Sequence, residues 1–153
     1  MHTLAEATDA TPALSAQERI QRLEAEILGQ PQVDLKTRNV VTGRMIARTI
    51  TVPAGTVLTG ATHKRDHINI VQGDITVSTD DGMKRLTGQH TLATKAGHKR
   101  VGYAHADTEW TTICQTDLTD IADIEDDLVV ESEKLQSRHP VITQAAAPEM
   151  VEA

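Results

Sequence analysis

The sequence has 153 residues, a formal net charge of -7, one cysteine and no phenylalanine, and its only Tyr and Trp residues are Tyr103 and Trp110. The core must therefore be aliphatic, and the scarcity of aromatic rings argues against stacking platforms for single-stranded nucleic acid. The negative charge disfavours direct nucleic-acid binding, and the lone Cys114 allows no disulfide within the chain.

The first predicted element is a short amphipathic helix, which follows a small, polar stretch (residues 1–13) that we expect to be disordered. Ser15 and Glu18 have the spacing of a capping box, and Gly29 and Pro31 end the helix. Its apolar face carries Ile20, Leu23 and Ile27. This face either packs on the rest of the same chain or docks on a neighbour, and the pattern leaves both interpretations open.

Short β-branched runs alternate with glycine-containing turns from residue 39 to residue 115. Residues 72–74 and 80–82 have the composition of hairpin turns, so we expect separate strands at 68–71 and 75–77. Many short strands without an intervening helix predict an all-β core, an antiparallel barrel or jelly roll.

A second amphipathic helix is predicted from about 117–120 to Pro140, with Ile121, Ile124 and Leu128 on one face. Residues 101–133 contain no Lys or Arg but ten acidic residues, whereas the middle of the chain is rich in basic residues. Such asymmetry predicts that the acidic segment meets a basic surface on another subunit or another protein. We therefore divide the chain into an N-terminal arm (1–37), a barrel (38–116) and an acidic C-terminal helix with a flexible tail (117–153).

The central stretch resembles the cupin superfamily. In the first cupin motif, G(X)5HXH(X)3–4E(X)6G, the end glycines fall on Gly55 and Gly73 and the acidic position on Asp66. Its histidine positions fall on Gly60 and Thr62, or on Thr59 and Ala61. In the second motif, G(X)5PXG(X)2H(X)3N, Gly97 is retained, while the proline, histidine and asparagine positions hold Lys95, Arg100 and Ala104.

The segment GTVLTGATHKRDHINIVQGDITV and the later segment GHKRVGYAHADTEW also resemble the sequences of small cupin-like proteins of tailed bacteriophages. The resemblance implies a cupin-like antiparallel jelly roll, here flanked by N- and C-terminal helical arms, and a viral setting. It implies no particular reaction.

Strand alternation decides which polar side chains meet inside such a barrel. If Asp66 points inward, Ile68 and Ile70 do so too, and His67 and Asn69 point outward. A bulge near residue 60 would turn His63 inward as well.

The candidate metal ligands are then His63, Asp66, His98 and His105, although histidines outside the motif positions are more often surface or hydrogen-bonded residues. Arg100 in a ligand position is unfavourable for a metal, because a guanidinium cannot coordinate a cation, and it could pair with Asp66 instead.

Three classes of function fit the sequence. The first is a non-enzymatic structural or interaction protein without a cofactor, a bacteriophage virion component or assembly accessory whose helical faces bind other copies of the chain or other virion proteins. The alternative is a cupin enzyme, an oxygenase or isomerase that uses a divalent transition metal on a small polar substrate. The third is a module that binds a small molecule in the barrel without turnover.

No signal-peptide or membrane-span pattern is visible in the sequence. We therefore expect the chain in the virion or in the host cytoplasm during assembly, and neither secreted nor bound to a membrane.

Overall fold

A computed structural model describes residues 13–139, which form a strongly curled antiparallel sheet with a helix at either side. The helices are α1 (Ala16–Leu28) and α2 (Ile121–Leu128). The strands are β1 (Arg38–Val41), β2 (Met45–Val52), β3 (Val57–Thr59), β4 (Thr62–His63), β5 (His67–Thr79), β6 (Gly82–Thr94), β7 (Val101–Ala104), β8 (Thr108–Gln115) and β9 (Val129–Val130). Two single-turn 3-10 helices follow, Ser132–Lys134 and Gln136–Arg138.

The main sheet has the strand order β1-β2-β8-β5-β7-β3, and β6 pairs with the other edge of β5. The short strands β4 and β9 form a second, two-stranded sheet. Each of these pairings is antiparallel, and the curled sheet with its flanking helices confirms the predicted cupin-like jelly roll.

Strand β5 differs from the prediction, because the turn expected at 72–74 does not exist. The strand runs unbroken and pairs with β6 along its whole length, with Gly73 opposite Gly88. On the other edge of β5 the partner changes from β8 to β7 between Gln72 and Ile75. Gly73 therefore marks a change of strand partner, whereas the hairpin predicted at 80–82 is confirmed.

Helix α1 has the predicted ends. The Glu18 N–H donates to Ser15 Oγ over 3.1 Å, the Ser15 N–H donates to Glu18 Oε1 over 2.8 Å, and Gly29 is the C-cap. Neither described helix combines the length and apolarity that crossing a bilayer requires. Of the stretch 1–13, expected to be disordered, residues 1–12 lie outside the described residues.

Helix α2 is shorter than predicted. It begins after the cap Asp120 but ends at Leu128, where the β-branched pair Val129–Val130 leaves the helix and forms β9 against β4. Pro140, predicted to end the helix, and the tail 141–153 lie outside the described residues.

Both predicted apolar faces are directed toward the chain's own barrel. Ile124 and Leu128 form a buried cluster with Ile46 and Cys114, and Ile20 of α1 is buried as well. Leu23 and Ile27 of α1, and Ile121 of α2, are half-buried. Of the two interpretations of α1, the structure therefore favours packing within the chain, and the face of α2 is occupied in the same way.

The acidic segment also finds basic partners inside the chain. Arg65 Nη2 lies 2.7 Å from Asp127 Oδ2, and Lys64 Nζ donates to the Asp126 carbonyl over 2.9 Å. Part of the acidic segment thus pairs with basic residues of the same molecule, and its contact with another subunit or another protein stays a prediction. The segments 38–116 and 117–139 fold against each other.

Candidate functional site

The curled sheet and the segments packed against it border a cavity of about 330 Å³. Its walls include apolar side chains of the main sheet, namely Ile46, Ile50, Val52, Leu58, Ile75 and Val77. Helix α1 contributes Glu24 and Ile27, and the segment around the second 3-10 helix contributes Leu135 and Gln136. The two terminal segments therefore border the barrel interior.

The inward face of β5 carries the odd-numbered residues, which reverses the predicted facing. His67 and Asn69 are 8% and 2% exposed, whereas Ile68 is 46% exposed and Asp66 lies at the surface. The alternation itself holds along the strand, and its inward side continues into the buried Val71 and the other odd-numbered apolar residues. His67 and Asn69, both expected to point outward, thus line the cavity.

His63 and His67 form a pair inside the barrel, with ring centroids 4.2 Å apart. His67 Nδ1 lies 3.0 Å from the Arg65 carbonyl oxygen and donates to it, because a carbonyl oxygen can only accept. Burial, followed by the charges of His67 and Arg48, lowers the pKa of His63 to about 4, against a smaller opposing contribution from the Ala61 carbonyl. His63 is therefore a neutral imidazole near pH 7.

The four side chains predicted as metal ligands do not come together. His63 and the half-exposed His98 border the cavity, and His98 Nδ1 is 3.5 Å from Asp80 Oδ1. His105, on the exposed side of the sheet, shares a hydrogen bond of 2.7 Å with Thr76 Oγ1.

The fourth predicted ligand, Asp66, accepts a hydrogen bond from the Ala96 N–H over 2.9 Å at the surface. Within residues 13–139, no three His, Cys, Asp or Glu side chains lie close enough together to hold a metal ion. A metal-dependent cupin enzyme stays a prediction, and these positions do not bring its ligand set together.

Asn69 organises the polar part of the interior, a role that sequence reasoning missed. Its Nδ2 donates to Thr94 Oγ1 over 2.7 Å, and its Oδ1 accepts from Trp110 Nε1 and Thr112 Oγ1, both at 3.0 Å. These bonds fix the side chains in one arrangement before anything enters the cavity. The signal in the sequence was the run of apolar residues at the odd positions 71, 75 and 77, which places residue 69 on the buried face if the strand is unbroken.

Arg100 joins this network instead of pairing with Asp66. Its Nη2 donates to Thr94 Oγ1 over 3.1 Å and its Nη1 to the Ser78 carbonyl over 2.9 Å. Its Nε is buried without a hydrogen-bond partner among the described residues.

An ionic cluster holds the C-terminal segment against the barrel. The Glu125 side chain is 3% exposed and accepts hydrogen bonds from Arg48, from Ser137 over 2.6 Å and from Arg138 over 2.7 Å. Burial raises the pKa of Glu125, but the hydrogen bonds from Ser137, Arg138 and Arg48 outweigh it and leave the pKa below its usual value.

Helix α1 is attached to the barrel in the same manner. Glu24 Oε2 lies 2.7 Å from Lys99 Nζ and accepts from Thr59 Oγ1 over 3.0 Å. Lys99 is 8% exposed, so this ion pair is largely removed from water. Both segments that border the cavity are thus held by buried or half-buried carboxylates.

The buried, neutral His63 predicts a pH dependence of stability. The unfolded chain takes up a proton near the ordinary histidine pKa of 6.5, whereas the folded chain does so only near 4. The contribution of neutral His63 to the free energy of unfolding is complete above about pH 6.5 and is lost as the pH falls toward 4. Between pH 7 and pH 5 the free energy of unfolding should fall by about 2 kcal/mol from this group. Urea unfolding at these two pH values measures it.

The matched variants for this measurement are His63→Gln, which should lose that part of the pH dependence, and His105→Gln on the exposed side of the sheet, which should retain it. The carboxyl groups with lowered pKa, such as Asp74 and Asp126, titrate below this window. Equal pH dependence in wild type and His63→Gln would contradict the assignment.

No family model matches the sequence, and no curated protein does either. Among solved structures, the chain is similar to a cupin-2 domain containing protein from Shewanella frigidimarina, at 12% identity and a TM-score of 0.45, covering 60% of this chain and 91% of that one. It is also similar to KdgF from Halomonas sp., at 16% identity and a TM-score of 0.45, over 55% and 82% of the two chains. A third similar structure is a cupin superfamily protein from Desulfitobacterium hafniense, at 14% identity and a TM-score of 0.44, covering 56% of this chain and 83% of that one.

Proposed function

We propose that this protein binds a small molecule inside the barrel and does not convert it. The observation that carries the proposal is the cavity of about 330 Å³, whose apolar walls surround a fixed polar group made of Asn69, Thr94 and Arg100. Cavities of this size, mostly apolar with a few oriented polar side chains, are typical of small-molecule sites.

The polar groups of the interior are oriented in advance, which favours binding. Asn69 uses both ends of its amide in hydrogen bonds with neighbouring strands, so the surrounding side chains have little freedom to lose. Less conformational entropy is then lost when a ligand enters.

The carboxylates that border the cavity support binding without turnover. Glu125 is held by Arg48, Ser137 and Arg138, and Glu24 by Lys99 and Thr59. A general acid or base needs a pKa near the working pH, but the pKa of Glu125 is lowered instead. The arrangement is that of structural ion pairs.

A pair of neighbouring β2 residues tests the proposal. Ile50 borders the cavity, whereas Thr51, the next residue, does not. We expect small molecules to raise the melting temperature of the wild type, because a ligand at about 100 times its Kd stabilises by about 2.7 kcal/mol. Ile50→Trp places an indole ring at the cavity wall and should weaken or remove this stabilisation, while Thr51→Trp should retain it.

Circular dichroism of both tryptophan variants serves as the folding control for the thermal-shift screen, and mass spectrometry of the recovered compound tests for turnover. A compound that stabilises Ile50→Trp as well as the wild type binds elsewhere and contradicts the site. A compound that is converted contradicts the absence of turnover.

A structural or assembly role in a bacteriophage particle stays a prediction. The apolar faces of α1 and α2, which suggested it, are directed into the chain's own barrel. The feature that still favours assembly is the outer edge of β6, which has no strand partner among residues 13–139 and could pair with a second copy. Light scattering of the purified protein tests this, and a monomer would contradict it.

A further inference from the structure

We propose that the ligand of this cavity is a singly charged anion, with a carboxylate that faces Arg100 and an apolar remainder against the barrel wall. The inference rests on the proposed function, because it names the chemical class of the molecule that the barrel takes. It follows from the charges that border the cavity and from the contacts of Arg100.

The other cationic side chains that border the cavity have carboxylate partners. Arg48 pairs with Glu125, Lys99 lies 2.7 Å from Glu24, and Lys134 Nζ lies 3.0 Å from Glu131 Oε2. Arg100 borders the same cavity, and no carboxylate of the described part of the chain lies within 4.0 Å of its guanidinium. Among the arginines and lysines that border the cavity, Arg100 is thus the one without a direct carboxylate partner in residues 13–139.

The neighbours of Arg100 are neutral and already engaged. Thr94 Oγ1 accepts from both Arg100 and Asn69, and the Ser78 carbonyl takes the other guanidinium bond. The buried Nε–H of Arg100 has no partner among the described residues, and such a group destabilises the empty protein. An anion beside the guanidinium compensates its charge in a medium of low dielectric constant, where the attraction is strong.

The ligand is restricted to one negative charge because Arg100 is, in the described part of the chain, the one arginine or lysine at the cavity without a carboxylate partner. His63 is neutral near pH 7 because burial lowers its pKa to about 4, so it adds no positive charge to that of Arg100. A dianion such as a phosphate monoester would bring a second negative charge into the barrel without a partner. The apolar walls around Ile50, Ile75 and Val77 suit a hydrocarbon remainder.

Matched acids and amides test this inference by calorimetric titration at pH 7. The probes are benzoate with benzamide and hexanoate with hexanamide, which differ in charge but little in size, and phenyl phosphate as the dianion. We expect each acid to bind the wild type at least about tenfold more tightly than its amide and than phenyl phosphate. Arg100→Gln should remove the preference for the acid.

Two further variants keep the result interpretable. Arg44→Gln removes an exposed arginine and should preserve the preference, and Arg100→Lys keeps the charge and should preserve part of it. Because the acid and amide are first compared on the wild type, the inference is tested even if Arg100→Gln does not fold.

The outcomes separate the two proposals. Equal affinities of acid and amide that are lost in Ile50→Trp would overturn the anion and leave the binding function intact. Tighter binding of phenyl phosphate would overturn the single charge. Binding of none of the five probes would overturn the inference, and the proposed function would then be decided by the thermal-shift screen.

Discussion

Glu125→Ala should lower the free energy of unfolding by about 3 to 5 kcal/mol, which is the usual effect of removing one partner from a buried ion pair. The side chain is 3% exposed and receives hydrogen bonds from Arg48, Ser137 and Arg138. Without it, the Arg48 side chain, which is 20% exposed, loses its carboxylate partner, and Arg138 keeps only Asp126 as a carboxylate partner within residues 13–139. Urea unfolding monitored by circular dichroism measures the loss.

Asp126 is the matched control, because it is the next residue of the same helix and also binds Arg138, over 2.9 Å. Its side chain is 62% exposed, so Asp126→Ala should cost no more than about 1 kcal/mol. Equal losses in the two variants would show that burial of the Glu125 carboxylate is not what stabilises the cluster.

The Glu125 cluster also connects stability with the cavity. Ser137 and Arg138 belong to the last 3-10 helix, and its first residue, Gln136, borders the cavity and donates to the Val33 carbonyl over 2.7 Å. Releasing this segment in Glu125→Ala would therefore open one side of the barrel. The ion pairs at Glu24 and Glu125 hold the two covering segments, while no carboxylate of residues 13–139 lies within 4.0 Å of the Arg100 guanidinium.

Structural features that depend on residues close together in the chain could be predicted from the sequence. The capping box at Ser15 and Glu18, the end of α1 at Gly29 and the hairpin at 80–82 all appear in the structure where local rules placed them. Each depends on contacts between residues close in the chain, so no tertiary information is needed.

The inward or outward direction of the β5 side chains could not be predicted from residues 66–70 alone. Residues 66–70 contain isoleucine at positions 68 and 70, which favours an inward even-numbered face. The assumed turn at Gly73 separated them from Ile75 and Val77, which show that the odd-numbered face is buried. Because of this one misplaced turn, the side chains of His67 and Asn69 were predicted to point outward, and the polar group inside the barrel was not predicted.

Long-range pairing explains the remaining differences. The acidic residues of α2 pair with Arg48 and Arg65, which are more than 60 positions away, and charge patterning alone does not distinguish this from contact with another molecule. In the same way, β9 exists because β4 offers a partner strand, so the end of α2 depends on residues far earlier in the chain.

Gly73→Ala should lower the free energy of unfolding by about 3 to 5 kcal/mol, the combined effect of a strained backbone and an overpacked contact. Gly73 has φ +148, and a Cβ there would lie 2.5 Å from Thr108 Oγ1, 2.7 Å from Thr108 Cα and 2.8 Å from the Asp107 carbonyl oxygen. Two of these three atoms are backbone, at the start of β8, where β5 changes partner. The clash therefore cannot be relieved by turning a side chain.

Gly88, the cross-strand partner of Gly73, provides the comparison that separates the clash from the effect of φ. It has φ +82, but nothing lies within 4 Å of a Cβ built there, so Gly88→Ala should cost only about 1 to 2 kcal/mol. Chemical denaturation of the two variants side by side measures the difference. If Gly73→Ala were no more destabilised than Gly88→Ala, residues 107–108 would not cross β5 as closely as the structure places them, and Gly73 would be an ordinary strand residue.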